Sequence, residues 1–271
     1  MNKAELVVNS LFYRTLGRLS DGVNMTFDLG LTSGKLLDYI YENKPHGKTL
    51  VGRWIDKQYI GHSGWEGVRI RKRNLESALK LAVKTLKQEK EDITIVDIAS
   101  GYAAYLFAAI TDLHDEHIIA RCYDIDARWV DAGNQKASSS NMRSITFHQG
   151  NMMDHVFAKS TLRDADIIIS SGFYDWIWND DDISKSLNII KSSTPSHSFI
   201  ALTYQMDHPC LELVHHVFNN FDGAPLKMKM RSAREMQQIL DTEKITVIHE
   251  ESDKYGYFNT VLGRLNGHRT L

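Results

Sequence analysis

The chain has 271 residues, of which 42% are hydrophobic and 24% are charged, and its formal net charge at pH 7 is −2. These values are ordinary for a globular protein and leave no overall positive field to attract nucleic acid. No apolar run reaches membrane-spanning length, the first ten residues lack a secretory signal pattern, and both cysteines fall in apolar segments typical of reduced core thiols. We therefore expect a cytoplasmic protein with one large core, or one domain plus a cap.

The first 90 residues carry a helical pattern. Apolar residues at helical spacing predict a first amphipathic helix with one buried face: Leu6, Leu11, Phe12, Leu16 and Leu19. A further helix is expected to begin after Ser33 as its N-cap and to stop before Pro45. A long helix follows from about Trp65 to Lys90, and its buried stripe is predicted to include Leu75, Leu79, Ala82, Val83 and Leu86.

These N-terminal helices have no strand to pack on in their own part of the sequence. Because short amphipathic helices must bury their apolar faces, we expect residues 1–90 to form a helical cap over the strand ends of the domain that follows. One of four aromatic side chains is expected to reach the ligand cavity: Tyr13, Tyr41, Tyr59 or Trp65.

Strands and helices begin to alternate at residues 93–110. A β-branched run ends in Asp97, and a turn of small residues then leads into an apolar helix. Such a turn brings backbone N–H groups close to a ligand. Only Gly101 fills a glycine position of the dinucleotide fingerprint, since Ala99 and Ala104 occupy the other two. The acid would repel a pyrophosphate and suits a cationic ligand, although an ordinary turn between a strand and a helix also explains the pattern.

The next three predicted strands also end in polar or small residues. The second ends at Asp124, whose carboxylate can accept hydrogen bonds from both hydroxyls of a ribose, and Asp126 is the better N-cap of the helix that follows. The third leads into Asn151 and Met152, and the fourth leads into residues 170–174. Because parallel strands place their carboxyl ends at one edge of a sheet, these residues are expected to surround one ligand.

Three more strands complete the predicted sheet. The fifth spans residues 197–205, and the last two flank a short turn at residues 253–256, which implies an antiparallel hairpin. We therefore predict an α/β fold: a Rossmann-like, seven-stranded sheet with one antiparallel strand, and helices on both faces. The predicted domains are a helical cap over residues 1–90 and a catalytic domain over residues 91–271.

The turn with Asp97, Ala99, Gly101 and Ala103 resembles the first motif of class I S-adenosylmethionine (SAM) dependent methyltransferases. The segments GRWIDKQYI, VDIASGYAAY, SSGFYDW, TYQMDHP and MRSAREMQQIL resemble a bacterial methyltransferase module that is often fused behind an α/β-hydrolase domain. The same segments are similar to azetidine-2-carboxylate synthases, which consume SAM by intramolecular ring closure. The resemblance implies SAM as cofactor and methyl transfer to a small molecule, with ring closure and SAM sensing without catalysis as alternatives.

The resemblance also assigns roles to the strand ends. The residues expected to bind SAM are Asp97, Ser100, Gly101, Tyr102, Asp124, Ile125, Asn151, Met152, Ser171 and Gly172. The ammonium is placed by Asp97 and Gly101, the ribose at Asp124, and the adenine beside Asn151 and Met152. The candidate catalytic residues are Phe173, Tyr174, Tyr204 and His208.

Alternatives stay open for the catalytic candidates. Aromatic faces can stabilise a sulfonium by cation–π attraction, but the same rings could simply pack in the core. His208 could act as a general base, or it could only turn the chain before Pro209. No cluster of His, Cys and Asp residues has metal-ligand spacing, so no metal is expected.

A basic run opens the long helix: Arg69, Arg71, Lys72 and Arg73. Such a run could contact phosphates, but Glu66 and Glu76 dilute it, and a solvated helix face also explains it. One of these arginines could instead pair with a ligand carboxylate. We expect a small-molecule substrate and no nucleic acid, and the oligomeric state stays open, a homodimer included.

Overall fold

The structure is a computed structural model that describes residues 2–219 and 226–266. It contains a seven-stranded sheet with the order β3-β2-β1-β4-β5-β7-β6. The strands are β1 (Ile93–Ile98), β2 (Ile118–Asp124), β3 (Ile145–Gln149), β4 (Ile167–Ser171), β5 (Phe199–Gln205), β6 (Ile245–Ser252) and β7 (Phe258–Leu265). β7 runs antiparallel to both neighbours and every other pairing is parallel, which confirms the predicted sheet.

Helices fill most of the remaining described chain. They are α1 (Lys3–Arg14), α2 (Asp21–Leu29), α3 (Gly34–Glu42), α4 (Leu50–Ile60), α5 (Ser63–Leu86), α6 (Ala104–Leu113), α7 (Ala127–Ser139), α8 (His155–Leu162), α9 (Asp180–Ser193), α10 (Leu211–Val217) and α11 (Ala233–Thr242). Ser33 is the N-cap of α3 as predicted, with its side chain accepting a hydrogen bond from the Leu36 N–H. None of these helices is both long enough and apolar enough to cross a lipid bilayer.

The core lies in two apolar layers, one on each face of the sheet. Along β1, Ile93 and Ile95 belong to one layer, while Val96 and Ile98 belong to the other, as the alternation of side chains in a strand requires. The first layer includes residues of α5, α6 and α7, and the second includes residues of α8, α9 and α11. The predicted buried stripe of α5 is confirmed, since all five of its residues lie in the first layer.

The strand order reverses direction between β1 and β4. In open α/β sheets ligands bind outside the carboxyl ends of the strands at such a switch point. Asp97 lies in register with Cys122 of β2 and Ile169 of β4, and Ser171 lies in register with Thr203 of β5. The predicted site residues at the ends of these strands therefore belong to one edge of the sheet.

The chain divides into two compact units. The first comprises residues 1–70 and 208–228, and the second comprises residues 71–207 and 229–271. In the first unit α10 packs on α1, with the Tyr13 and Phe218 ring centroids 5.6 Å apart. The helical cap predicted for residues 1–90 stays a prediction, and loss of SAM binding on removal of residues 1–60 would test it.

Asp56 is the polar centre of the first unit. It is fully buried and accepts hydrogen bonds from Ser20 Oγ at 2.6 Å, the Gly22 N–H at 2.8 Å and the His46 N–H at 2.9 Å, as well as from the Tyr39 hydroxyl. A buried carboxylate with this many donors joins several elements of the unit. These contacts explain how short helices with modest apolar faces pack into one unit.

The predicted first helix is wrong in its length and in its burial. α1 ends at Arg14, a separate 3-10 turn covers Leu16–Leu19, and no residue of α1 is buried. Leu11 is 63% exposed and Leu16 is 58% exposed. Thr15 interrupts the helix, with φ −117° and ψ −94°. The spacing of apolar residues relates side chains to one another, but it does not say what covers them.

Candidate functional site

The turn after β1 has an unusual backbone conformation. Ala99, Gly101 and Ala103 have φ values of 52°, 52° and 49°, in the left-handed region that disfavours residues with a Cβ. The Ser100 N–H donates to the Tyr123 carbonyl at 3.1 Å, which ties the turn to β2. Apart from residues 100–102, a Cβ built on Gly101 would meet no atom of the described residues within 4 Å. The turn therefore presents backbone beside open space, as close approach of a ligand requires.

Asp97 at the end of β1 is fully buried. Its Oδ2 accepts a hydrogen bond from the Tyr105 hydroxyl at 2.7 Å, whereas its Oδ1 has no partner among residues 2–219 and 226–266. Burial raises the pKa of Asp97 well above its usual value, although the Tyr105 hydrogen bond opposes the shift. A buried acceptor without a donor is costly, so this oxygen fits a ligand that brings a donor, and an ammonium above all.

Asp124 joins the ends of β1 and β2. Its Oδ2 accepts from the Gly101 N–H at 3.0 Å, and its Oδ1 accepts from the Asp126 N–H at 3.0 Å. Burial raises the pKa of Asp124, and the hydrogen bonds from these backbone groups oppose the shift. A backbone hydrogen bond from Ile125 also lowers this pKa, so three of the roughly four acceptor sites of the carboxylate are in use and one remains for a ribose hydroxyl. Asp126 caps α7 by accepting from the Arg128 N–H at 2.9 Å, as predicted.

Apolar and aromatic side chains flank this carboxylate. Ile125 is 67% exposed immediately after Asp124, and Tyr102 is half-buried with its ring edge-on to Trp129 at 5.4 Å between centroids. Exposed apolar surface beside a carboxylate suits a ligand with both a flat ring and hydroxyl groups.

The end of β3 lies beside Asp124. The Gly150 N–H donates to the Asp124 carbonyl at 2.9 Å, which brings Asn151 and Met152 to the same edge. Asn151 is exposed and its Oδ1 accepts from the Met153 N–H at 3.0 Å, leaving the side-chain NH2 group and one lone pair for a ligand. Met152 is 8% exposed and packs in the second apolar layer.

At the end of β4, unlike at the ends of β1, β2 and β3, the structure places side chains of both charges beside a glycine. Ser171 is the last residue of β4, and the Gly172 N–H donates to Thr203 Oγ1 of β5 at 2.9 Å. Gly172 has φ 72°, and a Cβ built there would lie 3.5 Å from Arg71 Nη1 and 3.7 Å from Asp175 Oδ2. A positive and a negative side chain thus flank the position after β4.

Arg231 is a site residue that the sequence analysis missed. It is 1% exposed, and its guanidinium donates to the Tyr174 carbonyl at 2.8 Å, to the Ile177 carbonyl and to Asp180 Oδ1 at 2.9 Å. These three acceptors span the loop after β4, so Arg231 is a positioning residue for that loop. The sequence gives no spacing signal for it, because its partners lie more than 50 residues earlier.

The structure places the two aromatic candidates after β4 differently. Tyr174 is fully buried in the second apolar layer, and its hydroxyl lies 3.4 Å from Ser186 Oγ of α9. Burial raises the pKa of Tyr174 to about 12. Phe173 is only partly buried, with its ring centroid 5.4 Å from that of Tyr174. Phe173 is therefore the ring of this pair with a surface available to a ligand, and the role of both rings at a sulfonium stays a prediction.

Tyr204 and His208 belong to different compact units. The Tyr204 hydroxyl accepts from Asn259 Nδ2 of β7 at 2.7 Å, and burial raises the pKa of Tyr204 to about 12. His208 belongs to the first compact unit, where its Nδ1 accepts from the Cys210 N–H at 3.1 Å. The hydrogen bond of His208 is what a residue that turns the chain before Pro209 would make. Catalytic roles for both residues stay predictions.

The sheet order and this strand-end site together define the class I SAM-dependent methyltransferase fold. Residues 4–264 match the model of the family described as "Putative methyltransferase". The chain therefore belongs to that family, whose class of enzymes uses SAM as its cofactor.

The chain is also similar to individual proteins. The protein YnbC of Escherichia coli K12 is 28% identical over 248 residues, which are 90% of this chain and 42% of that protein, so the chain spans less than half of this curated relative. A structure described as a possible exported protein from Bordetella parapertussis has 15% identity and a TM-score of 0.69, covering 97% of this chain and 87% of the other. Magnesium protoporphyrin IX methyltransferase from Synechocystis, solved with S-adenosylhomocysteine, has 10% identity and a TM-score of 0.55, covering 93% and 99%. These structural likenesses concern the fold.

Proposed function

We propose that this chain binds SAM along the ends of β1, β2 and β3 and transfers the methyl group to a small-molecule acceptor. The observation that carries the proposal is the buried Oδ1 of Asp97, which has no donor among the described residues and lies on the strand next to the Gly101–Asp124 hydrogen bond. An ammonium would supply the missing donor, and Asp124 would accept from a ribose hydroxyl. SAM carries both groups and no phosphate that the acids would repel.

The open face of Gly101 leaves room for the ligand beside the turn. Exposed Ile125 and the Asn151 side chain offer an apolar surface and a polar group for the adenine. The proposed roles of the cofactor residues follow from these placements. Ser100 and Tyr102 shape the turn. Ser171 and Gly172 form the edge of the SAM site at the end of β4.

Bound SAM supplies an electrophilic methyl carbon: the acceptor lone pair forms the new bond, the carbon–sulfur bond breaks with its electrons left on sulfur, and the acceptor gives its proton to a base. The residues of this chain have to hold the acceptor in line and exclude water. We assign the contact with the sulfonium to the face of Phe173, because the neighbouring Tyr174 is fully buried.

Product analysis tests this function directly. Incubation of the protein with SAM alone should leave SAM intact, and addition of a suitable acceptor should release S-adenosylhomocysteine. Release of methylthioadenosine without an acceptor would instead identify intramolecular ring closure. Binding of S-adenosylhomocysteine without turnover of any acceptor would favour a SAM-sensing module, and absence of binding would refute the proposal altogether.

A further inference from the structure

The end of β4 carries two opposite charges that the proposed SAM site does not use. Arg71, in the part of α5 that belongs to the second unit, and Asp175, after β4, both approach the open face of Gly172. A Cβ at Gly172 would lie 3.5 Å from Arg71 Nη1 and 3.7 Å from Asp175 Oδ2, and apart from residues 171–173 no other described residue would come within 4 Å. The two groups thus border one small open volume.

The Arg71 guanidinium is oriented without using its N–H donors. It lies over the ring of Phe258, with its Cζ 4.9 Å from the ring centroid, and the side chain is half-buried. Among residues 2–219 and 226–266 no carboxylate lies within 4.0 Å of it. A guanidinium stacked on an aromatic face keeps its planar edge for bidentate binding of a carboxylate.

One carboxylate oxygen of Asp175 accepts a hydrogen bond, and the other has no donor among the described residues. It is 4% exposed, and its Oδ1 accepts from the Gln205 N–H at 2.9 Å, while the Asp175 carbonyl accepts from the Lys229 N–H at 2.8 Å. The structure records no donor on Oδ2 among the described residues, and Oδ2 is the oxygen beside Gly172. Oδ2 is therefore an accessible oxygen on a side chain that is otherwise buried, and it can accept from a ligand that brings N–H donors.

We propose that the acceptor is an α-amino acid, with its carboxylate on Arg71 and its amino group on Asp175 over Gly172. This inference rests on the proposed methyl transfer and names its substrate class. Both protein charges border the same small volume, so the complementary charges of the ligand must sit on neighbouring atoms. The amino and carboxylate groups of an α-amino acid, both attached to one carbon, meet that requirement, whereas a simple amine or a simple acid would leave one protein charge without a partner.

The environment of Asp175 suits contact with an amine. Burial raises the pKa of Asp175 to about 6, and the charges of Arg71 and Arg231 and the Gln205 hydrogen bond oppose that shift. Above this pKa the carboxylate is ionised and can accept a hydrogen bond from the amino group of a ligand.

Binding to the complex with S-adenosylhomocysteine tests the substrate class without turnover. The protein is saturated with S-adenosylhomocysteine and titrated in a thermal shift assay, followed by calorimetry, with each of the twenty proteinogenic amino acids. The carboxamide and the N-acetyl derivative of every amino acid that responds serve as ligands that lack one charge. We expect at least one amino acid to bind and both of its derivatives to bind at least roughly tenfold more weakly, as loss of a charge-assisted hydrogen bond predicts.

Matched variants locate the binding groups. Arg71→Met and Asp175→Asn should each weaken amino acid binding at least roughly tenfold while leaving the affinity for S-adenosylhomocysteine within about twofold. Arg73→Met and Asp181→Asn, which change exposed residues, are the controls and should change neither affinity.

The outcomes separate the two proposals. Failure to bind S-adenosylhomocysteine would refute the proposed function. Three results would overturn the substrate class alone, given normal binding of S-adenosylhomocysteine. They are no response to any of the twenty amino acids, equal binding of the derivatives that lack one charge, or unchanged amino acid affinity in both Arg71→Met and Asp175→Asn.

Discussion

The two halves of the strand-end site are built in different ways. At the ends of β1, β2 and β3 the important contacts join the backbone of one turn to a carboxylate of the next strand, as in the hydrogen bond from Gly101 to Asp124. At the ends of β4 and β5 the contacts come from side chains that are distant in sequence, as in the hydrogen bonds from Arg231 to the loop after β4.

This difference separates a general function from a specific one. Many sequences with the same sheet can share a ligand that is bound by backbone groups and by acids at the strand ends. A ligand read by Arg71 and Asp175 depends on side chains that another sequence could replace without changing the fold. We therefore expect changes in the first half to affect SAM, and changes in the second half to affect the acceptor.

The largest expected effect is at Arg231. Arg231→Met leaves the Tyr174 and Ile177 carbonyls without their buried donor, and the free energy of unfolding should fall by about 1–3 kcal/mol for each carbonyl. Asp180, which is partly exposed, keeps its ion pair with Lys229 at 2.7 Å. Urea unfolding of this variant and of the exposed control Arg234→Met, which should change by less than about 0.5 kcal/mol, provides the measurement. Equal stability of the two variants would show that Arg231 does not hold the loop after β4.

A smaller effect is expected for the ionisation of Asp175. Its pKa in the folded protein is about 6, above its ordinary value of 3.8, so the folded state favours the protonated form. The corresponding stability is fully present below pH 3.8 and is lost as the pH rises through about 6, and it amounts to at most about 3 kcal/mol. Unfolding of wild type and Asp175→Asn at pH 4.5 and pH 7 should show that wild type loses more stability over this range. Parallel pH profiles of the two proteins would contradict this assignment.

The aromatic pair after β4 should respond unequally. Phe173→Ala removes the ring assigned to the sulfonium and should lower the rate roughly tenfold to a hundredfold. Tyr174→Phe keeps the buried ring and removes a hydroxyl that faces Ser186, so turnover should change little. Single-turnover rates at saturating SAM measure both. A wild-type rate in Phe173→Ala would refute the contact of this ring with the sulfonium. Loss of turnover in Tyr174→Phe with intact SAM affinity would assign a role in catalysis to the Tyr174 hydroxyl.

The smallest effect is expected in the turn after β1. Ala99 has φ 52°, where glycine is less strained, so Ala99→Gly should raise the free energy of unfolding by up to about 1 kcal/mol. Thermal unfolding would detect this change, and a clear loss of stability would mean that the methyl group of Ala99 contributes packing that outweighs the strain.

The sheet and the first half of the site were predictable because their signals are local. Apolar runs and the acids that end them mark each strand, and parallel strands bring Asp97 and Asp124 to one edge whatever the details of packing. The hairpin of β6 and β7 was likewise visible in its short turn.

The rest depends on contacts between distant segments. Spacing put Leu11 and Leu16 on one helix face, but only the folded chain shows that the helix breaks at Thr15 and that both residues are exposed. The basic run indicated Arg71 but not its partners, and Arg231 lay in a segment of the family resemblance without any sign of the loop that it contacts. The burial of Tyr174 could not be predicted from its place directly after a strand-end turn.

Calorimetry of S-adenosylhomocysteine with wild type, Asp124→Ala and the exposed control Asp131→Ala tests the central claim most directly. Loss of the ribose acceptor should weaken binding roughly 5- to 150-fold, which corresponds to about 1–3 kcal/mol, while the control should match wild type. An analogue of S-adenosylhomocysteine that lacks the 2′-hydroxyl should bind wild type more weakly than S-adenosylhomocysteine does. It should bind Asp124→Ala as tightly as S-adenosylhomocysteine binds that variant. This comparison separates the ribose contact from the role of Asp124 in the turn. Equal affinity of wild type and Asp124→Ala, or an equal loss with the analogue in both, would contradict the placement of SAM at the ends of β1, β2 and β3.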